Sequence, residues 1–540
     1  MTNIFVEPIN IKVELHPKET IKDGLKRAGG VEIETPCGGN GICGKCRFWA
    51  KEPNKILETP HENITPKDAL NGLRLACMAT PISDTTIRLE PNYKYTIDST
   101  HQNHTQNYDN GQILSVGDFS SKFEAIGEKW FDQFGVKNPK GIAVDIGTTT
   151  VVVALVCLKE GKLLESALSL NPQVVHGHDV LSRIGYASTS KGLDEIATLI
   201  RDRINELIDE VCKKSGSKIE EIVDITIGAN TTMLEITAKI DPSPLGHLPF
   251  KVDILGGTNF LAKEQFGFNV NSQVKVYIPP VMHAFVGSDI SAGLLCAPDF
   301  FDNSKSILYL DMGTNGEICL NVKGRRFTTS TAAGPAFEGM GISIGMRATG
   351  GAVERVEFGQ AGNLIFHVIG GQKIEGICGS GIVDFIAALL ETKELDSLGK
   401  FKNKVLGELK VLVGEAGEVY LTQKDIRQIQ LAKSAVRTGI DLILKKGEIS
   451  CNDLDKIYIA GGFGNFLNPI SMERTGIVPK GSSDKVMFCG NASIDGSIML
   501  LIDHTKRSFL EEALYDMEHL QLADDPQFMD NFVKNLNFNL

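Results

Sequence analysis

Four cysteines near the start of the chain, Cys37, Cys43, Cys46 and Cys77, have the type and spacing to hold iron. Three lie in the run CGGNGICGKC and the fourth follows in LRLAC, giving C-x5-C-x2-C-x30-C. That pattern is close to the C-x4-C-x2-C spacing, with a distant fourth cysteine, that binds a [2Fe–2S] cluster. Thiolates rather than thiols ligate iron, so the loop needs a dense field of N–H donors. Gly38, Gly39, Gly41 and Gly44 let backbone N–H groups approach sulfur and adopt positive φ. Zinc is the alternative, because Cys43 and Cys46 alone would suit it. A zinc ribbon presents two C-x2-C knuckles, however, and Cys77 stands alone. A cluster at this place handles single electrons.

A second chemistry lies downstream. GIAVDIGTTTVVVALVCLKEGKLLES, from Gly141, matches SILYLDMGTNGEICLNVKGRRFTTS, from Ser306. Each reads as an apolar strand ending in Asp, a Gly-Thr turn, a second strand and a Lys-Gly turn. Asp145 aligns with Asp311, Gly147 with Gly313 and Thr148 with Thr314. Such a turn suits phosphate: glycine permits close backbone approach, and N–H groups and hydroxyls donate to oxygen. The candidate donors are Gly147, Thr148, Thr149 and Thr150 in the first copy and Gly313, Thr314 and Asn315 in the second. Asp145 and Asp311, with Glu317 beside the second turn, are the candidate catalytic carboxylates. An Asp at a strand end can hold hydrated Mg²⁺, which keeps several waters and uses few carboxylates. The duplication has too long a period for a solenoid and implies two similar lobes facing across a cleft.

Two more glycine turns follow. YIAGGFGNFL carries Gly461, Gly462, Phe463 and Gly464 after a strand, where a nucleoside can lie against backbone. GICGSGIVDFIAALL carries Gly379 and Ser380 into a helix, whose N-terminus would attract anions or simply pack the lobes.

The elements that position these groups fall into three stretches. Residues 1–92 read as a small α+β domain. IFVEPINIKVELHPKET alternates like a hairpin, and Ile21, Leu25 and Ala28 follow at helical spacing. Residues 93–139 begin as a polar tether. A short amphipathic helix follows, with Phe119, Phe123, Ile126, Trp130 and Phe134 on one face. Residues 140–540 hold the α/β two-lobed module, with lobes near 140–305 and 306–505 and a helical tail over 506–540. In DIRQIQLAKSAVRTGIDLILKKG, one helical face is apolar (Ile426, Ile429, Ala432, Val436, Ile440, Ile443). Lys433 and Arg437 read as facing either adenine or solvent.

Composition sets the limits. The chain has 540 residues and a net charge of −12, with 67 acidic and 55 basic side chains. That length needs more than one domain. No basic run favours nucleic acid or an anionic membrane. No signal peptide and no membrane-spanning stretch are read, and eleven scattered cysteines fit a reducing cytoplasm better than a disulfide scaffold.

The cysteine segment resembles the β-grasp ferredoxins, from which it departs by its five-residue first gap. DIGTTT, DMGTNGE and IAGGFG resemble the two phosphate motifs and the adenosine motif of the acetate and sugar kinase–heat-shock chaperone–actin superfamily. GICGSGIVD looks like that superfamily's lobe-connecting segment. The superfamily has duplicated, ribonuclease H-like lobes. A ferredoxin domain joined to this fold resembles the reductive activators of corrinoid proteins. Four further stretches look like that family: NPQVVHGHDVLSRI (Asn171, Gln173, Gly177, Asp179, Ser182, Arg183), IGANTTM (Asn230, Thr231, Thr232), VMHAFVGSD (His283, Gly287, Asp289) and AAGPAFEGMGI (Gly334, Pro335, Glu338, Gly339). Some members carry a sizeable middle domain, and the roughly 45 residues between the modules leave little room for one here.

The resemblance implies a [2Fe–2S] cluster, ATP and Mg²⁺ as cofactors. It also implies a corrinoid protein of a methyltransferase system as partner, an external low-potential electron donor, and a homodimer. The implied task is to return inactive cobalt(II) to cobalt(I). Plant-type clusters sit near roughly −400 mV. Each ~59 mV of uphill gap costs one electron a factor of ten in equilibrium constant, so ATP would have to supply the difference. Two other function classes fit the same fold: a small-molecule kinase with a fused redox sensor, and a nucleotide-switched binding protein. Asp179 and Glu338 read equally as water-positioning carboxylates or lobe-packing partners. His176, His178 and His283 read as structural histidines before ligands.

Overall fold

A computed structural model describes residues 2–7, 11–28, 46–58, 64, 66–70, 72–89, 130–177, 179–358, 364–371, 373–402, 408–412, 418–461 and 467–539. Cys37, Cys43, His178, Gly462, Phe463, Gly464, the tether and most of the Phe119–Phe134 helix lie outside that set. Of that helix, Trp130–Phe134 is a 3-10 turn. The chain divides into two compact units. One comprises Met1–Ile97 and Asn171–Gly192, the other Asp98–Leu170 and Leu193–Leu540.

In the first unit, β1 (Thr2–Glu7) and β2 (Ile11–Leu15) form the hairpin that the alternation predicts, with Thr2 opposite Leu15. Ile4, Val6, Val13 and Leu15 are buried while Phe5 faces out, as period-2 side-chain direction requires. Helix α1 (Ile21–Ala28) begins where Thr20 accepts the Asp23 N–H, and it buries Ile21 and Leu25. β3 (Arg47–Ala50), β4 (Leu73–Leu75) and β5 (Thr85–Leu89) complete a sheet of order β2-β1-β5-β3-β4. In the same unit, helix α2 (Val180–Ala187) starts at Asp179, whose carboxylate accepts the Ser182 N–H at 2.8 Å.

The second unit contains two six-stranded sheets built alike. The first holds β6 (Lys140–Ile146), β7 (Thr150–Cys157), β8 (Lys162–Leu170), β9 (Ile222–Ala229), β10 (Thr258–Leu261) and β11 (Lys275–Ile278), in the order β8-β7-β6-β9-β11-β10. The second holds β12 (Ser306–Met312), β13 (Gly316–Val322), β14 (Arg325–Thr331), β15 (Lys456–Ala460), β16 (Val486–Gly490) and β17 (Glu518–His519), in the order β16-β15-β12-β13-β14-β17. In each, three antiparallel strands are followed by two that run parallel to the first. The sequence repeat is therefore a repeat of topology.

Helix packing ties the lobes together. The helix Ala492–Ile502 follows the second sheet in sequence but lies on the first. There Ile494, Ile498 and Leu501 share a core with Ala143, Ala154 and Val156. Gly496 permits its close crossing, since a Cβ there would sit 1.9 Å from the Ala292 carbonyl. Next, Arg507 of the helix Thr505–Leu514 pairs with the buried Asp224 of β9, and the chain returns to the second sheet at β17.

The helix Gln423–Lys446 buries the apolar face predicted for it against the second sheet. Lys433 departs from the solvated face that was one of its two sequence readings. It is 1% exposed, and its Nζ donates to the Asn537 carbonyl and lies 5.3 Å from the Phe538 ring. Burial pushes it down to about 7. Arg437 pairs with Asp441 at 2.8 Å.

Candidate functional site

The cysteine site begins with a strand pair. Arg47 of β3 lies opposite Leu75 of β4. Cys46 immediately precedes the first of these strands, and Cys77 lies two residues beyond the second. That register brings Cys46 Sγ and Cys77 Sγ to 3.2 Å, and the Ala76 N–H locks it by donating to the Cys46 carbonyl at 2.8 Å. Cys46 is buried and Cys77 half-buried at the edge of this unit's core. Two thiols converging from sequence-distant strand ends fit half of a four-thiolate cluster. Cys37 and Cys43 lie outside the described residues. Among the described residues no three His, Cys, Asp or Glu side chains are grouped to hold a metal ion.

The second unit places its two Gly-Thr turns as the repeat predicts. The Gly147 N–H donates to the Thr150 carbonyl and the Gly313 N–H to the Asn315 carbonyl, both at 2.9 Å. Thr148, Thr149, Thr150, Thr314 and Asn315 are all partly exposed there. A Cβ at Gly313 would touch nothing closer than 3.7 Å, so the backbone there is uncrowded.

The strand-end acids converge. Asp145 accepts from Ser493 Oγ at 2.8 Å, and burial pushes it up to about 6, against hydrogen bonds from Ser493 and Asn491. Burial and the Asp145 charge push Asp311 up to about 7. Burial, Asp311 and Asp145 push Asp289 up to about 8. Glu317 is raised further still, by burial and then by Asp289 and Asp311. Asp289, Asp311 and Glu317 are each raised by a neighbouring carboxylate as well as by burial, which favours bound protons or a compensating cation.

Glu338 joins the two turns. Thr149 Oγ1 donates to one of its carboxylate oxygens at 3.2 Å, and Thr314 Oγ1 to the other at 2.6 Å. Gly461, at φ +108°, lies against the carbonyl of Met312, the residue after Asp311. Gly379 and Ser380 pack instead of pointing to open space. A Cβ at Gly379 would meet the Phe337 carbonyl at 1.7 Å, and Ser380 Oγ donates to the Glu354 carbonyl.

Other singled-out residues have structural work. Asp179 caps a helix, and Arg183 donates to the Gly177 carbonyl and the Gln173 amide oxygen. His176 stacks on Tyr186 at 3.9 Å. His283 stacks on His519 with ring centroids 3.5 Å apart. Three contributors were not read as site residues from the sequence. Asp289 was noted only within a family-like stretch. Ser493 and Asn491 lie in GNASIDG, a polar, glycine-bearing helix start ahead of an apolar run, and that is the signal for them. No helix among the described residues is long and apolar enough to cross a membrane.

Comparison with known proteins adds three matched regions. Residues 4–81 match the 2Fe-2S iron-sulfur cluster binding domain. Residues 140–298 match the RACo middle region, and 305–539 the C-terminal domain of RACo, the ASKHA domain. The stretch read from sequence as the first lobe thus corresponds to the family's middle region, which is present at full-domain size. The short gap between modules had suggested otherwise. The corrinoid activation enzyme RamQ of Eubacterium limosum is 30% identical, with 96% of each chain covered. The [Co(II) methylated amine-specific corrinoid protein] reductase of Methanosarcina barkeri is 25% identical over 74% of this chain and 77% of its own. A solved structure titled reductive activator for corrinoid, iron-sulfur protein superposes with a TM-score of 0.67 at 27% identity. It covers 100% of this chain and 98% of its own.

Proposed function

The chain belongs to the family of corrinoid activation enzymes, and from that premise we propose how its residues divide the work of ATP-dependent reductive activation. The protein passes one electron from its [2Fe–2S] cluster to the cobalt(II) form of a corrinoid methyl-carrier protein and restores cobalt(I). The observation that carries this reading is that one chain holds both the Cys46–Cys77 thiol pair and the facing Asp145–Asp311 pair. Neither a kinase nor a nucleotide-switched binder needs an electron for its own reaction.

In our reading Cys37, Cys43, Cys46 and Cys77 are the cluster ligands within a domain ending near residue 92. Residues 93–139 join it to the two lobes. The cluster supplies a single low-potential electron, and ATP supplies the free energy that the transfer lacks. Gly147, Thr148, Thr149, Thr150, Gly313, Thr314 and Asn315 donate to phosphate oxygens. Asp145 and Asp311 hold hydrated Mg²⁺, a cation that asks for few carboxylates. Glu317, the cross-strand partner of Asp311, keeps a proton and sets the charge of the group. Gly461, Gly462, Phe463 and Gly464 flank the nucleoside, and Gly379 and Ser380 hold the lobe core beneath it. Lobe closure changes the affinity for the corrinoid protein, so nucleotide and partner are reciprocally linked. An external low-potential donor, a homodimer and a cytoplasmic location complete the proposal.

Purified protein tests the reading. It should contain two irons and two sulfides per chain and hydrolyse ATP faster when a corrinoid protein is added. Protein that lacks iron, or turnover indifferent to every corrinoid partner tried, removes it.

A further inference from the structure

Glu338 accepts from both Gly-Thr turns. It ends the turn Pro335–Glu338, which Gly334 and Gly339 flank at φ 74° and 79°. Phe337, 1% exposed, anchors this turn in the second lobe's core. The Phe337 carbonyl is wedged against Gly379, so the backbone beneath Glu338 is fixed. Its side chain is half-buried and extends from the second lobe to Thr149 of the first.

A threonine hydroxyl has one proton to donate. While Thr149 and Thr314 donate to Glu338, neither can donate to a phosphate oxygen. A phosphoryl group that takes both hydroxyls must therefore displace the carboxylate. It cannot share the position either, because two anions within a few ångströms repel strongly in a partly buried cleft. Glu338 thus presents to the two turns what a phosphoryl group would: a negative charge and a pair of oxygen acceptors.

We propose that Glu338 is a built-in stand-in for the terminal phosphoryl group of the nucleotide, a positioning residue that separates triphosphate from diphosphate. In the empty and diphosphate-bound protein it bridges Thr149 and Thr314 and holds the lobes in one arrangement. Triphosphate displaces it, frees the side chain and gives the lobes a different link. Loss of the terminal group on hydrolysis lets Glu338 return. The chain thereby converts the presence of one phosphoryl group into an exchange of the bond that spans its lobes. This inference rests on the cleft being a nucleotide site.

The test is calorimetric titration of the full chain, without air and with Mg²⁺, using ADP and a non-hydrolysable ATP analogue. Wild type is compared with Glu338→Ala and Glu338→Gln. Removing the stand-in should tighten the analogue about tenfold relative to ADP, equivalent to about 1.4 kcal/mol, with ADP affinity held within about twofold. Glu338→Gln keeps the size and loses the charge, so it should move the ratio the same way. It also decides the matter if the alanine variant fails to fold. An unchanged ratio, or weaker analogue binding in either variant, overturns the proposal and leaves Glu338 as a group that holds nucleotide or its attacking water. Wild type that binds neither nucleotide overturns the reading of the cleft as well.

Discussion

Asp145 and Asp311 end the first strand of their respective sheets, and the charge on Asp145 helps push Asp311 up to about 7. Two acids that resist ionising together store a demand for a cation. With Asp145 near 6 and Asp289 near 8, the folded state binds more protons than the unfolded chain above the ordinary carboxylate range. Stability of the metal-free protein therefore falls as pH rises from about 4 to about 8. Thermal melts should show the decline, and added Mg²⁺ should reverse part of it at pH 8. Asp311→Asn should melt higher than wild type at pH 8 without Mg²⁺ and gain less from the metal. A melting temperature that does not change with pH over this window removes the charge cluster from the account.

Gly461 supplies a second prediction. Its φ of +108° is unfavourable for other residues, and a Cβ would sit 2.3 Å from the Met312 carbonyl. Gly461→Val must displace the strand end that carries Asp311. We expect a cost of about 2–4 kcal/mol in urea unfolding and at least a tenfold loss of nucleotide affinity. Affinity equal to wild type would place the nucleotide away from this strand end.

The cysteine site can be separated from the cleft. Cys46→Ser and Cys77→Ser should each abolish or cripple cluster assembly, read as lost iron and lost visible absorbance. ADP titration should give the wild-type affinity. Electron transfer to the corrinoid protein should disappear. A variant that keeps both its iron and its electron transfer would contradict the ligand assignment.

The C-terminal segment should matter for stability. Phe538 is 4% exposed within the second lobe's core, and Asn535 Nδ2 donates to Asp441 at 2.9 Å. Phe538→Ala should cost about 3–5 kcal/mol in urea unfolding. It should also admit water to Lys433 and return that amine toward its ordinary pKa. A loss below about 1 kcal/mol would mean the segment is only loosely seated.

Much of this was legible in the sequence, for identifiable reasons. Cysteine spacing is local, and so is a strand that ends in Asp-x-Gly-Thr. The two strand ends survived into the structure, as did the apolar face of the helix Gln423–Lys446, and of the four cysteines Cys46 and Cys77 come together. What escaped depended on contacts between distant segments. Lys433 read as facing adenine or solvent because nothing local shows that Asn537 and Phe538 return to cover it. Asp179 and Glu338 read alike, as water-positioning or lobe-packing carboxylates, yet one caps a helix and the other spans two lobes. Ser493 bonds Asp145 across 348 positions, a separation that no periodicity reveals. The helix Ala492–Ile502 ends in the apolar run IMLLI, which marks it as buried without naming the sheet that buries it.

The central claim is that the nucleotide cleft lends free energy to an electron leaving the cysteine site. The direct test mixes the pre-reduced protein with a cobalt(II) corrinoid protein in the absence of air and follows cobalt(I) absorbance. With ATP and Mg²⁺ the absorbance should rise, and without nucleotide, or with Asp145→Asn in place of wild type, it should stay low. Equal cobalt(I) yield with and without ATP would contradict the claim.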